Sequence, residues 1–148
     1  FDKLEASRHA GAARGMLRQL ELGLFDLRVH TEYDPGDPAP VLETLADVRN
    51  EVALIQHPDF NRLPHAFSHI FAGGDAAGYY SYKWAEVLAA DAYAAFEEAG
   101  IFDADTASCF RREILEIGGS RDIMDAYVAF RGREPTIDAL LHQTGIET

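Results

Sequence analysis

Apolar residues along this chain recur at three- and four-residue steps, and the alternation expected of a half-buried strand is nearly absent. Met16, Leu20, Leu24 and Leu27 form one such stripe and predict a long helix ending near His30. The run "YDPGDPAP" then brings three prolines and a glycine, which no helix interior tolerates, so a loop follows. Val41, Leu45, Val48, Val52 and Ile55 resume the helical spacing, with Pro40 where a first-turn proline does least harm. "QHPDFNRLP" is a second break. A helix is expected from after Gly74 to about Ala99, carrying Ala85, Leu88, Ala92 and Phe96 on one face and ended by Gly100. Three shorter helices complete the pattern. Phe110, Ile114 and Ile117 mark the first, stopped by Gly118-Gly119; Ser120 is placed to cap the second, with Ile123, Tyr127 and Phe130; Thr136 is placed to cap the third, with Ile137, Leu140 and Leu141. The fold class this predicts is all-α.

With 148 residues the chain suits one compact domain that can bury a real core. No apolar run reaches the length needed to cross a bilayer, and no basic segment followed by an apolar block marks a secretory signal. A net charge of −12, with lysines and arginines scattered, argues against nucleic acid or an anionic membrane as partner. Cys109 stands alone, which excludes an internal disulfide or a multi-cysteine metal knot and fits the reducing cytoplasm. The first residue is Phe1 rather than Met, so the expectation is a piece of something longer, or a chain whose start is disordered or removed.

The stretch "HAFSHIFAGGDAAGYYSYKWAEV", residues 65–87, carries the chemistry. His65 and His69 stand at the i, i+4 spacing of a zinc-binding helix, but Ala66 occupies the position where a metalloprotease needs its general-base glutamate. Pro64 makes this a helix start rather than a helix middle, and a third ligand would have to come from His57, Asp59 or Glu86 without anything compelling it. No metal site is therefore expected within these residues. Behind Gly73, Gly74 and Gly78, four aromatic residues follow within six positions: Tyr79, Tyr80, Tyr82 and Trp84. Helical spacing puts Tyr79 with Tyr82 and Tyr80 with Trp84. On pattern alone, these rings either seal the domain surface or line a cleft.

Three runs decide between those readings by resemblance. "FSHIFAGGDAAGYYSYKWAEVLAADAYAAFEEAGIFD", "GMLRQLELGLFDLRVH" and "GGSRDIMDAYVAFRGREPTIDALLHQTGI" resemble the C-terminal region of the M3 family of zinc oligopeptidases, so the likeness extends from near Leu4 to Ile146. The family takes its zinc from a His-Glu-x-x-His helix and a downstream glutamate, all upstream of the region matched, and no His-Glu-x-x-His occurs in these 148 residues. The resemblance implies that residues 1–148 form the C-terminal helical region of a bilobed zinc metalloendopeptidase acting on short peptides, and that this region alone is inactive. Its Zn2+ would be bound by residues outside this chain, and its partners would be peptide substrates and the remainder of the peptidase chain. Cut from that remainder, the chain is expected to self-associate through uncovered apolar surface.

Matched position by position, His69 corresponds to a histidine that hydrogen-bonds substrate, Tyr82 to a proposed oxyanion donor, and Tyr79 to a cleft-lining tyrosine. Gly73, Gly74 and Gly78 correspond to flexible positions of a loop that closes over bound peptide. Asp75 departs from the pattern, standing where the family commonly has a tyrosine. The physical case for Tyr82 is that a phenol of ordinary pKa, about 10, keeps its proton at neutral pH and can donate it to a developing oxyanion. The alternative is a non-catalytic acidic helical module that grips a peptide or protein with its aromatic cluster.

Overall fold

Every regular element in the computed structural model is helical, and the structure describes residues 2–37 and 40–146. Pro38 and Ala39 of the expected proline loop lie outside the described residues. The chain divides into two compact units, Phe1–Lys83 and Trp84–Thr148.

In the first unit, α1 (Asp2–His9) and α2 (Ala12–Thr31) are separated at Gly11, whose φ of +80° favours a residue without a side chain. A loop leads to α3 (Pro40–Val52), which starts on its proline as expected. Helices α2 and α3 pack on each other, and Phe25, Leu45, Val48 and Ile70 are almost wholly buried at the centre of the unit's core. Burying a side chain such as Phe25 contributes roughly 1.5–3 kcal/mol. The buried face of α2 is not the predicted stripe: Leu20 is 42% exposed, whereas Glu21, Leu22, Gly23, Phe25, Asp26 and Val29 are buried. The shift has a physical reason, because part of that face is polar. Glu21 accepts from Arg49 Nε at 2.9 Å and pairs with Arg18 at 2.7 Å, and Arg49 also donates to Asn61 at 2.8 Å. Burial pushes the Glu21 carboxyl up, but the two guanidinium groups outweigh it and hold it below the usual carboxylate range. Two one-turn helices follow, α4 (Leu63–Ala66) and α5 (Ser68–Phe71).

Helix α6 (Ser81–Ala99) starts six residues later than expected, because residues 76–80 form turns. The unit boundary falls within it, after Lys83. In the second unit α6 ends at Gly100 (φ +120°), whose N–H donates to the Phe96 carbonyl at 2.8 Å. Helix α7 (Ala104–Phe110) is capped by Asp103, which accepts from the Thr106 N–H at 2.7 Å. It runs into one π-helical turn, 111–115, closed by Glu116 N–H to Arg111 C=O at 2.9 Å. Two caps differ from expectation. Helix α8 (Ile123–Arg131) is capped by Asp122, which accepts from the N–H groups of Met124 and Asp125, rather than by Ser120. Helix α9 (Asp138–Thr144) begins after Ile137 with no side-chain cap, and the Thr136 N–H points instead to Asp91 at 3.4 Å.

Asp91 organises this unit. Its side chain is 1% exposed and accepts from Tyr127 Oη at 2.7 Å, from both Nη atoms of Arg133 at 2.7 and 2.6 Å, and from Arg131 Nη2 at 3.3 Å. Phe96, Phe110 and Phe130 pack as a triad with centroids 5.3–6.5 Å apart. None of the helices among the described residues is long and apolar enough to cross a membrane.

Candidate functional site

Residues 63–82 of the first unit hold all six positions singled out in the sequence. His65 lies on α4 and His69 on α5, and the backbone breaks between them at Phe67 (φ −93°, ψ 65°). The i, i+4 spacing therefore does not put the two imidazoles on one helical face. Among the described residues no group of three or more His, Cys, Asp or Glu side chains comes together to hold a metal ion.

Helix α5 turns directly into the glycine pair. The N–H groups of Ala72 and Gly73 both donate to the Ser68 carbonyl, at 2.7 and 2.8 Å, and Asp75 N–H donates to the His69 carbonyl at 3.1 Å. A Cβ on Gly73 would lie 2.8 Å from His69 Cα and 2.9 Å from the His69 carbonyl oxygen, closer than backbone atoms permit. Gly74 follows at φ +93° with open space around it. Gly78 is different in kind, since a Cβ there would make only an ordinary contact, 3.5 Å from the Asp75 carbonyl oxygen. The first two glycines are required by the shape of the loop. The third is not.

The rings gather into one cluster. Phe67 is buried and meets Tyr79 edge-on at 5.1 Å; His69 meets Tyr79 edge-on at 6.2 Å; Tyr79 and Tyr82 lie 5.1 Å apart. Tyr79 is half-buried and its hydroxyl donates to Gln19 Oε1 at 3.2 Å. His69 is exposed, and Tyr82 is 47% exposed. The structure thus brings His69, Tyr79 and Tyr82 together, with the first and last open to solvent.

Tyr82 Oη donates to Asp75 Oδ2 at 3.1 Å. The Asp75 carboxylate, by that hydrogen bond first and by its charge second, raises the Tyr82 pKa above its ordinary value. A phenol so placed is firmly a donor at neutral pH. Asp75, which the sequence presents only as a departure from a pattern, is the direct partner of the predicted donor.

Sequence reasoning also missed what holds this loop. Gln19, Gly23, Asp26 and His30 recur along α2 at steps of four, three and four, one stripe of a helix. Gln19 takes the Tyr79 hydroxyl, and Gly23 admits the Tyr80 backbone, with Tyr80 Cα 3.7 Å from where a Cβ would stand. Asp26 is wholly buried; its Oδ1 accepts from Ala77 N–H and its Oδ2 from Tyr79 N–H, each at 2.9 Å. His30 Nδ1 lies 2.9 Å from Asp26 Oδ1 and 2.9 Å from the Asp26 carbonyl oxygen, an arrangement that puts the ring hydrogen on Nδ1. The signal available in the sequence was a carboxylate inside "LGLFDLRV", the most apolar stretch of the helix.

The model of peptidase family M3 matches residues 1–146. The chain is 55% identical over 147 residues to oligopeptidase A of Escherichia coli (strain K12), a match covering 99% of this chain and 22% of that protein. It is 45% identical over 150 residues to the organellar oligopeptidase A, chloroplastic/mitochondrial, of Arabidopsis thaliana, covering 99% of this chain and 19% of the relative. Similarity to saccharolysin of Saccharomyces cerevisiae is 35% over 148 residues, covering 99% and 21%. The chain spans about a fifth of the length of these curated relatives. With helices as its only regular structure among the described residues and a family match over nearly every position, this chain belongs to peptidase family M3.

Proposed function

We propose that this chain is the substrate-facing C-terminal part of a zinc-dependent oligopeptidase that hydrolyses short peptides in the cytoplasm. Zinc, bound by residues outside these 148, would supply a Lewis acid and an activated water. Among the described residues no cluster of His, Cys, Asp or Glu side chains could hold a metal ion, and the chemistry assigned to this chain is confined to what its own side chains do. Tyr82 donates its hydroxyl hydrogen to the oxygen that gains negative charge as water adds to the scissile carbonyl. His69 orients the peptide or donates a second hydrogen bond, and Tyr79 lines the cleft between them. Gly73 and Gly74 give the loop the shape in which it covers bound substrate; Gly78, whose conformation does not demand glycine, has the weakest claim among the three.

The observation that carries this reading is the state of the Tyr82 hydroxyl. Its ring is 47% exposed and packs on Tyr79, which in turn meets His69, and the hydroxyl is kept protonated by Asp75. A ring sealed in the core would have no access to substrate. Exposed apolar side chains elsewhere, Phe60 at 80% and Phe102 at 98%, fit a chain whose remaining partner surface is the rest of the peptidase.

Tyr82→Phe in the full-length enzyme tests the assignment. Loss of one oxyanion donor is expected to lower kcat by roughly 100- to 1,000-fold, with KM within about threefold because the donor acts chiefly in the transition state. An unchanged kcat removes the role. A sequence upstream of Phe1 without a His-Glu-x-x-His motif would favour the non-catalytic binding module instead.

A further inference from the structure

We infer that Asp26 is the positioning residue of the tyrosine loop: through the backbone of Ala77 and Tyr79 it fixes where the Tyr79 and Tyr82 rings stand. The inference rests on the role given above to Tyr82, and goes beyond it to a residue more than fifty positions away in sequence that touches no substrate.

Three observations carry it. Asp26 is 0% exposed, so its two carboxyl oxygens are buried polar atoms that must find hydrogen-bond partners locally. Its two oxygens are divided between two amides of one turn, Ala77 N–H and Tyr79 N–H, both at 2.9 Å. Ala77 has φ +55°, and among the described residues it is the non-glycine residue with positive φ. An alanine is held in that region only where its surroundings impose it. Alternating backbone N–H groups around a left-handed residue form a concave anion site, the arrangement that elsewhere cradles phosphates. Here a side chain of the same protein fills it, so the turn is locked to a rigid helix rather than left to a ligand.

The remaining contacts extend the same mounting. Gln19 holds the Tyr79 hydroxyl at 3.2 Å, and His30 holds Asp26 at 2.9 Å with its ring 6.1 Å from that of Phe71. Tyr82 N–H bonds back to the Tyr79 carbonyl at 3.3 Å, and the two rings are 5.1 Å apart. Whatever sets the Tyr79 backbone therefore sets the Tyr82 ring one turn on. No sequence motif links position 26 to positions 77–82; only the fold does.

The test uses the full-length enzyme, an internally quenched peptide substrate, and the variants Asp26→Asn, Tyr82→Phe and the two combined. Asparagine keeps the shape but turns an NH2 donor toward one of the two N–H groups. Asp26→Asn is expected to lower kcat about 10- to 100-fold, the cost of a reacting group misplaced by about 1 Å, with KM within about threefold. The double variant is expected within about twofold of Tyr82→Phe alone, because a donor already removed cannot be misplaced. Amide hydrogen exchange across residues 76–80 is expected to quicken at least about tenfold in Asp26→Asn. Losses that multiply in the double variant, or wild-type kcat and unchanged exchange in Asp26→Asn, overturn the inference. If Tyr82→Phe keeps its kcat, the reading of Tyr82 falls and exchange alone judges the anchor. Should Asp26→Asn fail to fold, the wild type decides: the Ala77 and Tyr79 amides must exchange more slowly than that of Ala76, and equal rates refute the anchor.

Discussion

Asp91→Asn removes the charge at the hub of the second unit while keeping its outline. In the wild type, burial pushes the Asp91 carboxyl up, but hydrogen bonds from Arg133, Tyr127 and Arg131 outweigh that and bring its pKa down to about 2 from 3.8. A folded pKa below the unfolded one means stability that is fully present above the unfolded value and is lost as pH falls through the folded value. The shift corresponds to about 2 kcal/mol at neutral pH. Roughly 1 kcal/mol of it is gone by about pH 3, and most of the remainder by about pH 2. Asparagine does not titrate, so the gap in unfolding free energy between wild type and Asp91→Asn is expected to be flat from pH 7 to about pH 5 and to narrow by about 1 kcal/mol at about pH 3. Urea unfolding of the chain, followed by far-UV circular dichroism, measures both proteins at each pH. Taking the difference cancels the other carboxylates. A gap that stays constant or widens on acidification would refute the argument, because it would mean that the charge on Asp91 contributes nothing that its shape does not. The variant is expected to cost less than Asp91→Ala, which leaves Tyr127 (3% exposed) and Arg131 without their buried partner, a loss of roughly 3–5 kcal/mol.

Two predictions concern the loop. Gly73→Ala drives a Cβ into the His69 backbone at 2.8 Å and is expected to destabilise the loop and lower activity, whereas Gly78→Ala, with its nearest contact at 3.5 Å, is expected to leave thermal stability within about 0.5 kcal/mol; equal effects would show that the glycines act through flexibility rather than shape. Asp75→Asn weakens the acceptor that holds the Tyr82 hydrogen, so the Tyr82 pKa is expected to fall toward its ordinary value in a carbon-13 NMR titration of labelled tyrosine; an unmoved titration would mean that the Asp75 contact is not kept in solution.

Helices that advertise themselves by apolar spacing were legible, and α3 begins where Pro40 places it but stops at Val52, short of Ile55, which lies outside the helix and is exposed. The face of α2 was not, because its buried surface mixes Leu22 and Phe25 with Glu21 and Asp26, and apolar periodicity is blind to a charge that finds its partner elsewhere. Ser120 and Asp122 are both good caps on chemical grounds; the helix starts at Ile123, so Asp122 is the one placed to accept from the Met124 and Asp125 N–H groups. At the candidate site, the family likeness picked out His69, Tyr79 and Tyr82, and the rings do meet. Asp26 was silent for a different reason: its two amide partners lie about fifty residues downstream, and an amide looks the same in every residue but proline.

A phenol has one hydrogen to give. With that hydrogen turned to Asp75, an anionic group drifting toward this patch meets a donor already engaged and a carboxylate of its own sign, while a cation meets an acceptor that is half satisfied. The patch thus sorts visitors by charge before any bond is strained; on the role proposed for Tyr82, an oxyanion forming beside it would have to take the hydrogen over from Asp75.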